Sequence, residues 1–99
     1  MKRGFVTISR THFSPALKNE IHIILKKILQ IFRKQSGLID VKAFMSHDAS
    51  QATIIIIWKD KAHHEKFLES KHEVAINQLW EPVRYHPDTS IELKSYQRV

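Results

Sequence analysis

The 99-residue sequence predicts an α+β domain, with one four-stranded antiparallel sheet, helices on one side of it, and elements in the order β-α-β-β-α-β. Three observations predict it. Residues 5–13 alternate like a strand, and a long amphipathic stretch follows Ser14-Pro15. Beyond these, a segment apolar on both faces, Ala52 to Trp58, ends a hairpin and precedes two shorter helical stretches and a last alternating run. Right-handed crossovers and short connections then favour the ferredoxin-like arrangement.

In the first strand, Phe5, Thr7, Ser9, Thr11 and Phe13 share one face, and Val6, Ile8, Arg10 and His12 share the other. Ser14 suits a helix N-cap and Pro15 the first helical position, so a helix is expected from there to about Gln35. Leu17, Ile21, Ile24, Leu25, Ile28, Leu29, Ile31 and Phe32 fall within an arc of roughly 160°. Ile23 alone breaks the pattern, and Gly37 is a natural left-handed stop.

Leu38 to Ser46 reads as the second strand, residues 47–51 as a turn, and Ala52 to Trp58 as the third strand. Ile54, Ile56 and Trp58 occupy one face of that third strand, Ile55 and Ile57 the other. One helix layer covers a single face, so a second copy of the chain is the simplest cover for the other. Arg10 and His12 share the uncovered face. A charge there needs a partner, and Asp40 or Glu92 is expected to supply it, as an interface device, unless an anionic ligand does.

Asp60 can cap a short helix, Lys61 to Glu69. Ser70 followed by Glu73 matches a capping box and starts another, in which Ala75, Ile76, Leu79, Trp80 and Val83 recur at helical spacing. A polar loop holding Pro82, Pro87 and Asp88 is expected next, then a last strand from Ile91 to Tyr96.

Composition narrows the chemistry. There is no cysteine, which excludes disulfides, thiolate metal sites and a cysteine nucleophile. The start, Met1 to Gly4, is charged, but no apolar run follows, and Ile54 to Trp58 is too short to span a bilayer. A soluble, cytoplasmic protein is expected. The net charge of +6 is spread along the chain and reads chiefly as solubility. Nucleic acid is not an expected partner. RNA-binding modules of this topology stack bases on aromatics of the inner strands, whereas here the third strand is isoleucine. A basic helix face (Lys18, Lys26, Lys27, Arg33, Lys34) remains as a salt-sensitive phosphate surface. The seven histidines lack H-x-x-x-H spacing, and the adjacent His63 and His64 point about 100° apart on a helix, so no metal site is expected.

Three stretches carry a family resemblance: Ser36-Gly37-Leu38-Ile39, then Ile55-Ile56-Ile57-Trp58-Lys59-Asp60-Lys61-Ala62, then Phe67-Leu68-Glu69-Ser70. Over nearly its whole length, residues 1–99 as one domain, the chain resembles the antibiotic biosynthesis monooxygenase domain family of the dimeric α/β-barrel superfamily. The resemblance implies a homodimer whose two sheets form a barrel, with a pocket between sheet and helices in each subunit. Some members oxidise aromatic polyketides or quinols with oxygen and no bound cofactor. The heme-degrading members carry an Asn on the first strand, a Trp on the short helix and a ligating His on the next. Those roles fall here on Ser9, Phe67 and Asn77, and Asn is not a usual axial ligand to heme iron, so heme degradation is not expected.

The implied activity is a cofactor-independent monooxygenase acting on a small aromatic or quinol-like compound. Such chemistry needs a dry pocket, a base and donors for developing negative charge. His63 or His64 is the candidate base, because histidine titrates near neutral pH, and Asn77 the candidate polar partner. Ser9, Phe67, Trp58 and Trp80 are the candidate substrate-binding residues. The other reading is a non-catalytic small-molecule-binding or dimerisation domain of the same fold, in which Phe67, Trp58 and Trp80 are plain core.

Overall fold

A computed structural model describes residues 4–97, so the charged start read at Lys2 and Arg3 lies outside the described residues. The elements are β1 (Phe5–His12), a 3-10 turn (Pro15–Leu17), α1 (Lys18–Arg33), β2 (Leu38–Met45), β3 (Gln51–Trp58), α2 (Lys61–Leu68), α3 (Lys71–Arg84) and β4 (Ser90–Gln97). The four strands form one antiparallel sheet in the order β2-β3-β1-β4. This is the ferredoxin-like topology predicted above, and strand ends shift by one residue at most. Among the described residues no helix is long and apolar enough to cross a membrane.

The long helix departs from expectation at its start. Ser14 caps the 3-10 turn, its Oγ accepting from Ala16 N at 3.4 Å, and α1 proper begins only at Lys18. Its buried face is Ile21, Ile24, Leu25, Ile28 and Phe32, and Ile23 stands 54% exposed, as the periodicity indicates. Each fully buried side chain of this kind contributes about 1.5–3 kcal/mol. Pro82 lies inside α3 rather than in a loop. The helix ends two residues later, so the amide that proline lacks forfeits a single bond near the C-terminus, where the ladder is ending anyway.

The capping box at Ser70 is half formed. Ser70 Oγ accepts from His72 N at 3.3 Å, but its own amide already donates to Phe67 O at 3.0 Å. Glu73, with no amide left to reach back to, accepts instead from Asn77 Nδ2 at 3.2 Å.

The two faces of the sheet differ. Towards the helices point Ala52, Ile54, Ile56 and Trp58 of β3, all buried, with Val41 of β2 and Thr7 and Thr11 of β1. The opposite face carries Val6, Ile8, Ile55 and Ile57, half-buried, beside the exposed Phe44 and Tyr96. Arg10 lies in that face across from Thr53 and Glu92. The expected ion pair is not formed. Glu92 pairs with Lys94 at 3.9 Å and Asp40 with Lys42 at 3.5 Å, each two residues along its own strand. Asp40 stands opposite Ile57, too far across the sheet to reach Arg10.

Gly37 ends the turn after α1 with φ +80°, and a Cβ there would fall inside the His63 ring. His63 Nδ1 is 2.8 Å from Asp60 Oδ1, which also accepts from the His63 amide at 2.9 Å, and Lys59 N donates to Gly37 O at 2.7 Å. The start of α2 is thereby clamped to the turn between α1 and β2. Gly37→Ala is expected to cost about 2 kcal/mol or more, from left-handed backbone plus overlap with the imidazole. In a His63→Ala background only the backbone part, about 1 kcal/mol, should remain. Urea denaturation of the double-mutant cycle checks this, and equal costs in both backgrounds would show that the ring does not cover Gly37.

Candidate functional site

A cavity of about 120 Å³ lies between the sheet, from β3 through β1 to β4, and the helices α2 and α3. Its floor arises from mismatched cross-strand pairs. Thr7 stands opposite Ile56, and Ser9 opposite Ile54. On the helix side of β1 the sequence therefore offers short side chains where β3 offers large ones, and α3 bridges over the difference. Trp58 and Phe67 wall one end, with ring centroids 5.5 Å apart, and Phe67 stacks on Phe32 of α1 at 4.8 Å. Trp80, 5% exposed, closes the roof from α3, so it is both helix anchor and cavity wall. Leu93 of the edge strand β4, 59% exposed, forms a lip.

The polar groups are few and placed at two levels. At the rim, Glu73, Asn77 and Arg84 lie at spacings of four and seven on one face of α3. Asn77 donates to Glu73 Oε1 and accepts from Arg84 Nη2, both at 3.2 Å. Asn77 is exposed, so it borders the mouth rather than the depth. Three buried polar atoms of lining residues, Thr7 Oγ1, Trp58 Nε1 and His64 Nδ1, have no protein partner and are packed out of reach of a water-sized group. Thr7 and Trp58 are each only 1% exposed.

The adjacent histidines separate, as one helical step of about 100° requires. His64 borders the cavity, with its ring 5.0 Å from Phe5 and 6.0 Å from Trp58 between centroids. Burial pushes its pKa below the ordinary 6.5, and the neighbouring Glu65 carboxylate opposes this in part. His63 turns away to Asp60 and Gly37 and does not line the cavity. The structure thus brings together Ser9, Trp58, His64, Phe67, Asn77 and Trp80 of the residues singled out from sequence, and leaves out His63. Thr7, which shares the Ser9 face of the first strand, also lines the cavity, and Glu73 and Arg84 are lining residues that the sequence does not single out as site candidates. Alternation on β1 from Ser9 and helical spacing on α3 from Asn77 were the available signals. Among the described residues no three histidine or acidic side chains converge as a metal ion would need.

No family model matches the sequence, and no curated protein is similar to it in sequence. Solved structures do match. A conserved protein from Methanosarcina mazei superposes with a TM-score of 0.80 at 16% identity, covering 97% of this chain and 93% of that one. A candidate antibiotic biosynthesis monooxygenase from Deinococcus radiodurans gives 0.77 at 13%, covering 93% and 89%. SnoaB, a cofactor-independent oxygenase from Streptomyces nogalater, gives 0.68 at 15%, covering 94% and 90%. The chain has the fold of the antibiotic biosynthesis monooxygenases, and at these identities the likeness is one of fold.

The depth and the rim should respond differently to truncation. Phe67→Ala, which opens the aromatic stack, is expected to cost about 3–5 kcal/mol. Asn77→Ala, at the exposed mouth, is expected to cost less than about 1 kcal/mol. Paired chemical-denaturation curves check the contrast, and a Phe67→Ala cost as small as that of Asn77→Ala would mean that Phe67 does not hold the wall.

Proposed function

We propose that the protein is a cofactor-independent monooxygenase that oxidises a small aromatic, quinol-like compound with molecular oxygen, and that it works as a homodimer. The observation that carries the chemistry is a mostly apolar, aromatic-walled cavity with a half-buried histidine, its pKa lowered by burial, among the lining residues. A quinol supplies its own electrons. Written for a hydroquinone, the quinol and one O₂ give a hydroxyquinone and one water, so the substrate is oxidised by four electrons and one oxygen atom stays in the product.

The protein's task is to bind the ring, remove a proton and exclude water. His64 is the base in this reading, because burial keeps its imidazole unprotonated and able to accept a proton. Removing the proton leaves an electron-rich oxyanion that can reduce O₂. Ser9 and Asn77 line the floor and mouth, and Phe67, Trp58 and Trp80 sandwich the ring. The likeness in fold to SnoaB supports the reaction class. Pairing of two chains through Val6, Ile8, Ile55 and Ile57 would remove from water the apolar face that the helices leave open.

His64→Gln should lower oxygen uptake on a hydroquinone about 100-fold or more, while His63→Gln leaves the turnover of the folded protein near that of the parent. The folded pKa of His64 lies below its unfolded value, so neutral imidazole persists to lower pH than usual. The acid limb of kcat/KM should therefore have its midpoint below 6.5. Turnover unchanged in His64→Gln would remove the base, and binding without any turnover would leave a binding domain. Ile55→Lys should convert a dimeric mass in light scattering to a monomeric one, and a parent that is already monomeric contradicts the pairing.

A further inference from the structure

We propose that the free edge of β4 is a self-association edge. Two copies of the chain add β4 to β4, antiparallel, about a two-fold axis beside Leu93, and so join their four-stranded sheets into one continuous sheet. This contact is separate from the pairing of open sheet faces, and it does not depend on the chemistry of the cavity.

The edge is open and regular. β4 is the last strand of the sheet and bonds to β1 alone, and among the described residues no strand lies beyond it. All eight of its residues are exposed. They pair one-to-one with β1 without a bulge, and the strand holds neither proline nor glycine. Such an edge presents a row of backbone amides and carbonyls that another strand can satisfy. The opposite edge, β2, is interrupted by a register shift between Leu38 and Asp40, which makes it the poorer template.

The β4 sequence selects the partner and the register. Ile91, Leu93 and Ser95 lie on the helix side of the sheet, opposite Thr11, Ser9 and Thr7 of β1, while Ser90, Glu92, Lys94 and Tyr96 lie on the open side. Residues directly opposite one another in an antiparallel pair point to the same side, so a β4–β4 pair matches helix-side residues with helix-side residues. The axis then lies between one residue and its own copy. About Leu93, Glu92 stands opposite the second copy's Lys94, and Lys94 opposite the second copy's Glu92. About Glu92 two carboxylates meet, and about Lys94 two ammonium groups. Opposite charges across strands stabilise a pair and like charges oppose it. The Leu93 register also matches Ser90 through Tyr96 and leaves only Gln97 of the strand without a counterpart, whereas registers about Ile91 or Ser95 overlap far less.

Glu92 and Lys94 bond only to each other, at 3.9 Å on the exposed surface, so both are free to turn to a second copy. Leu93, 59% exposed, gains its own copy as an apolar neighbour. Leu93 is also the lip of the cavity, so the cavities of the two copies open beside one seam. A contact of one strand is smaller than a permanent interface, and the association is therefore weak and driven by concentration.

Sedimentation velocity of the full chain over rising concentration tests the proposal. The mass should double from that of the dilute species, whatever that species is, so a failure of the face pairing is read separately from a failure of this edge. Glu92→Lys sets lysine against Lys94, and Lys94→Glu sets glutamate against Glu92. Each should weaken the doubling about tenfold or more. Both side chains are more than half exposed, so neither change threatens the fold. An equimolar mixture of the two variants brings opposite charges together again and should recover the association. The double variant Glu92→Lys/Lys94→Glu, with the parent's net charge, should double as the parent does. No doubling in the parent, doubling undiminished in either single variant, or no recovery in the mixture and the double variant overturns the proposal.

Discussion

The register between β1 and β3 is the constraint on which both faces of the molecule depend. Phe5 opposite Trp58, Thr7 opposite Ile56 and Ser9 opposite Ile54 set short side chains against long ones beneath α3. The same pairing sets Val6 opposite Ile57 and Ile8 opposite Ile55 on the other face. Side chains alternate with period two, so a slip of one residue would move the threonines to the open face and the aliphatic pairs under the helices. Cavity and unclad apolar face are thus two consequences of one alignment. The alignment is secured because β3 is an inner strand bonded on both sides, with its helix-side residues all buried.

Two consecutive histidines show how a helix divides labour. His63 holds the beginning of α2 to the Gly37 turn through Asp60, and His64 faces the aromatic depth. The clamp matters to the site because α2 also carries Phe67, whose ring bridges Phe32 and Trp58. A rotation of α2 by one residue, about 100°, would carry both His64 and Phe67 away from the cavity. The clamp residue His63 and the cavity-lining His64 and Phe67 are therefore carried by one eight-residue helix.

Much of this was legible in the sequence, for identifiable reasons. Alternation in residues 5–13, the amphipathic α1 and the doubly apolar β3 are strong periodic signals, and they led to the right topology. Pro82 was placed in a loop because proline reads as a breaker, and the last helical turn tolerates it. Glu73 was read as half of a capping box, but the Ser70 amide is taken by Phe67, which frees Glu73 for the cavity rim. Arg10 was expected to pair across strands, and the acids instead pair along their own strands. Sequence left open which of His63 and His64 faces inward, because helix phase relative to the sheet is set by tertiary packing. The cavity itself is a deficit of atoms. It follows from residue sizes only once the strands are aligned, so alternation alone puts Ser9 and Thr7 on one face without showing the space above them.

A crystal structure of the protein with 4-bromophenol, with bromine located by its anomalous signal, tests the central claim most directly. One ring is expected in the cavity between Phe67 and Trp80, beside His64. A ring bound elsewhere on the chain would contradict the assignment of this cavity as the substrate site.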